Sequence, residues 1–452
     1  MINRSFPSNW TVATLGETSS YIQRGKSPKY VESSPLAVIN QKCIRWNQLQ
    51  TEHQKYIHPE QIPTWDANRH IRQGDILWNS TGTGTVGRAY LVKSTDCHPS
   101  KVVDSHVTIV RSNPEVDSRI IFYWIKGPNV QNRIEELCDG STNQVELSRT
   151  AISEIKIPLP PINEQRRIAD KLDRVLARVD ATNEHLSRVA PLIKRFRKSV
   201  LAAAVSGQLT DARALPSQDW KTAKLGDLGT LARGKSKHRP RNDPSLYGGR
   251  YPFIQTGDIA NSNGLITHHS KTYNDKGLAQ SELWPKGTLC ITIAANIADT
   301  AILDYDACFP DSIVGFLADE STCIAKFVKH SIDVIKEDIE RLAPATAQKN
   351  INLAILSEIP IRIPSVEEQS EIVRRVEKLF AFADRLEERL TQAQAAVQKL
   401  TPALLAKAFR GELVPQDPND EPASELLKRL QESRTESAKP SRARKPRTRK
   451  SS

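Results

Sequence analysis

The chain has 452 residues, 26% of them Asp, Glu, Lys or Arg and 38% apolar, with a net charge of +12. That length suggests about three compact units at ~150 residues each, with enough apolar material for buried cores. No run approaches the ~18 apolar residues of a membrane span, the first residues lack an apolar signal core, and the six cysteines form no C-x-x-C pair; these features argue against a membrane protein, a disulfide scaffold and a zinc site, and a cytoplasmic location is expected.

In chain order, residues 1–155 alternate short β-branched and aromatic runs with Gly, Pro and Asn turns. Runs 37–39, 75–78, 89–92 and 106–110 read as strands, and 118–126 reads as a helix. Residues 164–206 then carry apolar positions in a 4-3-4-3 rhythm, with Leu172, Val175, Val179 and Leu186 on one seam. A 3.5-residue repeat held this long predicts a coiled-coil helix of roughly 65 Å. The pattern restarts. Runs 289–293 and 300–303 are predicted strands and 325–342 a helix. A second long helix follows, with Val376, Leu379, Leu386 and Leu390 on its seam. Pro191 and Pro402 fall between seam positions, so a kink is expected rather than a break. From residue 436 onward seven Lys and Arg stand against Glu436 alone, half of the net charge, in a Ser, Pro and Arg-rich tail expected to be disordered.

The restart is an internal repeat. Residues 141–210 align with 345–414 at a constant offset of 204. Pro160-Pro161-Ile162-Asn163-Glu164-Gln165 meets Pro364-Ser365-Val366-Glu367-Glu368-Gln369, and Gly207-Gln208-Leu209 meets Gly411-Glu412-Leu413. Upstream, Trp10, Leu15-Gly16, Gly25-Lys26-Ser27, Gly74 and Asp104-Ser105 correspond more loosely to Trp220, Leu225-Gly226, Gly234-Lys235-Ser236, Gly287 and Asp311-Ser312. The expected architecture is α+β: two mixed globular domains (1–155 and 211–359) separated by two long helices (156–210 and 360–415) whose coiled-coil seams pack on each other, with a pseudo-twofold repeat and a basic disordered tail (416–452). Ser365-x-x-Glu368 has the form of a capping box, and Gly207 and Gly411 sit where a helix stops.

Catalytic signatures are missing. Gly82-x-Gly84-x-x-Gly87 fits a dinucleotide fingerprint, but a strand follows it where a helix is required, so it reads as a turn between strands that the second copy lacks near Ala295. No Walker A, amino-methyltransferase or nuclease centre is evident, Glu164 and Glu368 suit the first turn of a helix, and no metal site is expected. What remains is binding. The loops carrying Arg24, Lys26 and Lys29 and Arg233, Lys235, Lys237, Arg239 and Arg241 are glycine-led and basic, as backbone phosphates require. Asn79, Ser80, Thr81, Thr83, Arg88, Gln144 and Asn296 are candidates for phosphate or base contact.

The repeated motifs at 158–168, 363–372, 201–209 and 405–413, with Trp10…Leu15-Gly16 and Trp220…Leu225-Gly226, resemble the paired signatures of the specificity subunit of type I restriction-modification systems. The resemblance covers residues 5–415. It implies two target recognition domains, each reading half of a split, asymmetric site in double-stranded DNA, and two helices that pair as an antiparallel coiled coil, hold the domains apart and dock two methyltransferase subunits. Those partners would bring S-adenosylmethionine, and a translocase-nuclease subunit would bring ATP and Mg. The chain itself would bind no cofactor and would not be an enzyme. The rivals are a specificity subunit serving a fused methyltransferase-nuclease and a protein scaffold that reads no DNA.

Overall fold

The computed structural model describes residues 6–82, 84–139, 145–210, 220–237, 240, 242–294, 296–342 and 351–438. The chain divides into two units, residues 1–185 with 393–452 and residues 186–392. Each unit therefore holds one mixed domain, the first half of the long helix that follows it, and the second half of the other long helix.

In the first unit a four-stranded sheet runs in the order Ser19–Arg24, Val107–Ser112, Ile76–Asn79, Ala89–Leu91. The third of these strands is buried at every position, as a strand covered on both faces must be, and this explains its consecutive apolar residues Ile76, Leu77 and Trp78. A second sheet orders Tyr30–Val31, Lys55–Ile57, Ala37–Ile39 and Lys101–Val103, the last pair parallel. In the second unit the corresponding sheet runs Gly229–Arg233, Ile313–Ala318, Leu289–Thr292, Thr300–Leu303, and adds Leu265–Ile266. Tyr247–Phe253 pairs separately with Lys271–Tyr273. The predicted helices are present as Ser118–Lys126 and Ala325–Leu342. The fold is α+β, built twice.

Each domain is closed by a short antiparallel pair, Thr11–Thr14 with Lys156–Leu159 and Lys221–Lys224 with Pro360–Ile363. Residues 156–159 and 360–363, assigned to the helices on the sequence, are thus the last strands of the domains. The long helices are Ile162–Val205 and Val366–Ala408. Pro191 and Pro402 lie inside them without a break, and both are exposed. Gly207 and Gly411 take φ of +80° and +75°, the left-handed stop, and the N–H of Leu209 returns to the Ala203 carbonyl at 3.1 Å.

Within the second unit the helix halves run antiparallel. Val200 and Ala204 share a core with Ile372 and Val376, Ile193 packs with Ala383 and Leu390, and Arg197 bridges Asp384 and Glu387 at 2.5 and 3.2 Å. Leu186 and Leu386 join this seam half-buried, as does Leu379 beside Val376. In the first unit Leu172 shares a core with Leu405 and Ala408, and Val179 is buried. Leu176, rather than the expected Val175, carries the seam between them: Val175 is only half-buried, because here the helix also packs on its own domain and its buried stripe passes through Ile168, Ala169, Leu172 and Leu176.

The recurring Glu-Gln pair is a joint. The indole N–H of Trp10 donates to Glu164 at 2.9 Å, and that of Trp220 to Glu368 at 3.3 Å. The Gln165 carbonyl accepts the backbone N–H of Asp117, which caps Ser118–Lys126, while its amide donates to the Pro160 carbonyl. Gln369 accepts from the N–H of Ile324 and donates to the Pro364 and Thr322 carbonyls. Each pair thus pins the opening Trp and the start of the domain's helix to the first turn of the long helix. Arg119 adds ion pairs to Asp170 and Asp173, and Lys326 one to Glu377. Burial pushes the Glu164 carboxyl above its ordinary range, although Trp10 and Gln416 donate to it. The capping box is only half made: Ser365 accepts the N–H of Glu368, but the Glu368 carboxylate is taken by Trp220 and Thr210.

The tail needs correction. Ala423–Ala438 is a helix whose Ala423, Leu426 and Leu430 are buried in the first unit's core, tied by Arg167 to Asp420 and Arg429 to Glu115. Its high charge hides a narrow apolar stripe at 3-4 spacing, which composition averages away. Residues 439–452, with the basic cluster, lie outside the described residues.

Candidate nucleic-acid interface

Both glycine-led loops leave the first strand of the main sheet at the same point. A Cβ at Gly25 would stand 2.1 Å from the Val103 carbonyl oxygen and 2.2 Å from that of Asp104; at Gly234 it would stand 2.3 and 2.6 Å from those of Phe309 and Pro310. Only glycine lets the strand pass the neighbouring turn so closely. The N–H of Gly25 donates to the Val107 carbonyl and that of Gly234 to Ile313. This register corrects the sequence alignment by one residue: Ser105 corresponds to Asp311 and His106 to Ser312, while the place of Asp104 is taken by Pro310. The preceding arginines obey it. Arg24 donates to the Ser105 carbonyl and Arg233 to that of Asp311, so each guanidinium braces the turn it faces, and Arg24 also pairs with Glu146.

Beyond the glycines the loops differ. Lys26 donates to the Thr64 carbonyl at 2.9 Å and lies over the Trp65 ring, Lys29 and Lys237 are exposed, and Lys235 is paired with Glu282 at 2.8 Å. Arg239 and Arg241 lie outside the described residues.

The second candidate region is the hairpin turn after the buried central strand. Gly82, Gly84 and Gly87 all have positive φ, so this is a turn between two strands. The second domain makes the same turn two residues shorter. The N–H of Gly87 reaches the Asn79 carbonyl at 3.0 Å, that of Ala298 reaches Thr292 at 2.8 Å, and Ala298 itself adopts φ +59° where the first domain has glycine. The turn the sequence assigned to one copy is therefore in both. Asn79 and Ser80 are not surface groups: both are fully buried, with Asn79 donating to the Gln41 and Thr85 carbonyls and Ser80 bonding the Trp78 carbonyl and Thr108. They shape the turn and cannot reach a duplex. Thr292 does the same work at the equivalent place through the Asn296 carbonyl. Thr81 meets His106 at 2.6 Å, Arg88 folds back on the Gly84 carbonyl at 2.8 Å, and Asn296 is exposed. Thr83 and Gln144 lie outside the described residues.

Sequence reading missed one shared feature beside these loops. The Lys55 ammonium lies 4.6 Å from the centre of the Tyr30 ring, and that of Lys271 lies 5.2 Å from the centre of the Tyr247 ring. The partners come from neighbouring strands about 25 residues apart, so no local motif announces them. Among the described residues no group of three His, Cys, Asp or Glu is placed to hold a metal ion, and no helix is long and apolar enough to cross a membrane.

Two mixed domains of one plan, each jointed to a long helix and each offering a basic loop and a hairpin turn, define a duplicated recognition protein. The model of the type I restriction modification DNA specificity domain matches residues 7–190 and 217–394, one match for each copy, and the chain belongs to that family. It is 30% identical over 390 residues to the EcoBI specificity subunit of Escherichia coli, covering 76% of this chain and 80% of that one. It is 30% identical over 323 residues to the StySPI specificity subunit of Salmonella potsdam, 68% of each. The crystal structure of the HsdS subunit from Thermoanaerobacter tengcongensis shares the fold, with a TM-score of 0.61 at 19% identity over 91% of this chain and 99% of that one.

Proposed function

We propose that this specificity subunit reads a bipartite, asymmetric site in double-stranded DNA, one half-site per domain. The paired long helices hold the unread gap and dock two methyltransferase subunits, and a translocase-nuclease subunit completes the assembly in the cytoplasm. Catalysis belongs to those partners, with S-adenosylmethionine for methylation and ATP and Mg for translocation and cleavage; this chain supplies address rather than chemistry. The observation that carries the reading is one backbone frame built twice with different side chains on its rim, which suits two related but unequal half-sites. The basic loops suit phosphates, which position a protein without specifying sequence.

The test lengthens the helices. Four residues inserted after Glu184 and four after Gln392 add ~6 Å of helix each. Methylation mapping of DNA modified by the complex should then return the same two half-sites with the gap longer by one or two base pairs. Altered half-sites around an unchanged gap would overturn the reading.

A further inference from the structure

Two domains that read different bases have one ligand in common, the sugar-phosphate backbone. Side chains kept at equivalent places in both domains therefore suit phosphate, and side chains that change suit bases. The register makes that sorting possible. Tyr30 pairs with Ile57 and Val38 with Lys55 in the first domain; Tyr247 pairs with Tyr273 and Phe253 with Lys271 in the second. Tyr30 thus corresponds to Tyr247 and Lys55 to Lys271, and the stacked pair is the same device in both. It lies at the rim reached by the glycine-led loop. In the second domain Tyr247, Lys271, Ser236, Gln255, Thr256 and Ser312 line a cleft of about 190 Å³. Ser236 corresponds to Ser27, so it too is kept. Thr256 replaces Gln41 and Ser312 replaces His106.

The ammonium groups are suited to an anion. Both lysines are exposed, and among the described residues neither forms an ion pair, whereas Lys235 on the adjacent loop is neutralised by Glu282. The tyrosine face orients the charge without cancelling it, which lowers the entropy lost on gripping a phosphate.

We propose that Lys55 on Tyr30 and Lys271 on Tyr247 are equivalent phosphate grips on the target duplex, and that Thr256 and Ser312, beside the second grip, contact base edges. This rests on the DNA-reading function proposed above. The test uses the full chain assembled with its methyltransferase partners, a duplex carrying the site mapped by methylation sequencing, and a scrambled duplex. Lys55→Gln and Lys271→Gln should each reduce the slope of log affinity against log salt by about 0.9, and the double variant by about twice that. Between 50 and 200 mM salt each single variant should therefore lose about 3.5-fold less affinity than the parent. The change should be equal on both duplexes, with the methylated motif unaltered. Thr256→Gln and Ser312→His should change or abolish methylation through the second domain's half-site alone. A salt slope unchanged in Lys271→Gln, or a motif altered by either lysine variant, would overturn the grip. An unchanged motif in both rim variants would overturn the base contacts. A parent complex that binds both duplexes equally would instead refute DNA reading itself.

Discussion

Replacing Glu164 by Ala tests the joint between domain and helix. Glu164 is fully buried and takes the indole N–H of Trp10, which is itself only 8% exposed. Removing the acceptor strands that N–H, at about 1–3 kcal/mol for a buried donor left unpaired. The other donor, Gln416, is exposed and can turn to water. The twin joint predicts a smaller effect: Glu368 is half-buried and its bond to Trp220 is longer, at 3.3 Å, so Glu368→Ala should cost about 0.5–1 kcal/mol. Hydrogen exchange reads the two joints separately, at Thr11–Thr14 paired with Lys156–Leu159 and at Lys221–Lys224 paired with Pro360–Ile363. At 1.4 kcal/mol per tenfold, exchange in the first pair should accelerate about 5- to 150-fold in Glu164→Ala, and in the second only about 2- to 5-fold in Glu368→Ala. Glu164→Gln keeps an acceptor and loses the charge that burial disfavours, so it should exchange nearly as the parent does. Unchanged protection in Glu164→Ala, or a larger effect from Glu368→Ala, would show that these carboxylates do not hold the joints as described.

His330 is buried, with both ring nitrogens unbonded, and burial pulls its pKa down to about 4. The unfolded chain binds the proton first, so stability is whole above the unfolded value near 6.5 and drains as pH falls toward 4. On the order of 2 kcal/mol should be lost at pH 5 and restored there by His330→Leu, measured by urea unfolding of the second unit's signals. Gly87→Ala should destabilise the first hairpin, because its Cβ would lie 2.8 Å from Ile134 at φ +88°, whereas Ala298→Gly should leave the second unharmed or firmer; thermal melts of the two variants decide it. Leu430→Ala should cost about 2–5 kcal/mol of docking of the Ala423–Ala438 helix, seen as selective proteolysis of the C-terminal segment.

What the sequence disclosed follows from how each signal is written. The central strands Ile76–Asn79 and Leu289–Thr292 were legible because a strand buried on both faces opens with consecutive apolar residues, Ile76-Leu77-Trp78 and Leu289-Cys290-Ile291. The long helices were legible because a seam repeats many times. The partnership of Glu164 with Trp10 was not, since a bond spanning 154 residues leaves no local period. The same holds for Lys55 on Tyr30 and Lys271 on Tyr247. Asn79 and Ser80 looked like surface groups because polarity does not report burial; the Asn79 amide N–H groups are spent on the Gln41 and Thr85 carbonyls and the Ser80 hydroxyl on the Trp78 carbonyl and Thr108. The shift of Asp311 from Asp104 to Ser105 arose because two matched letters outweighed a register that only the ladder records. Ala298 concealed the second turn because alanine there pays in backbone strain for what glycine does freely.

Under the proposed function each domain reads its own half of one DNA site. The direct measurement is sequencing that maps methylated positions in DNA modified by a complex whose first domain, residues 6–159, has been exchanged for that of another member of the family. A split motif is expected in which one half changes while the other half and the gap stay as in the parent. A motif altered in both halves, or one contiguous run with no gap, would contradict it.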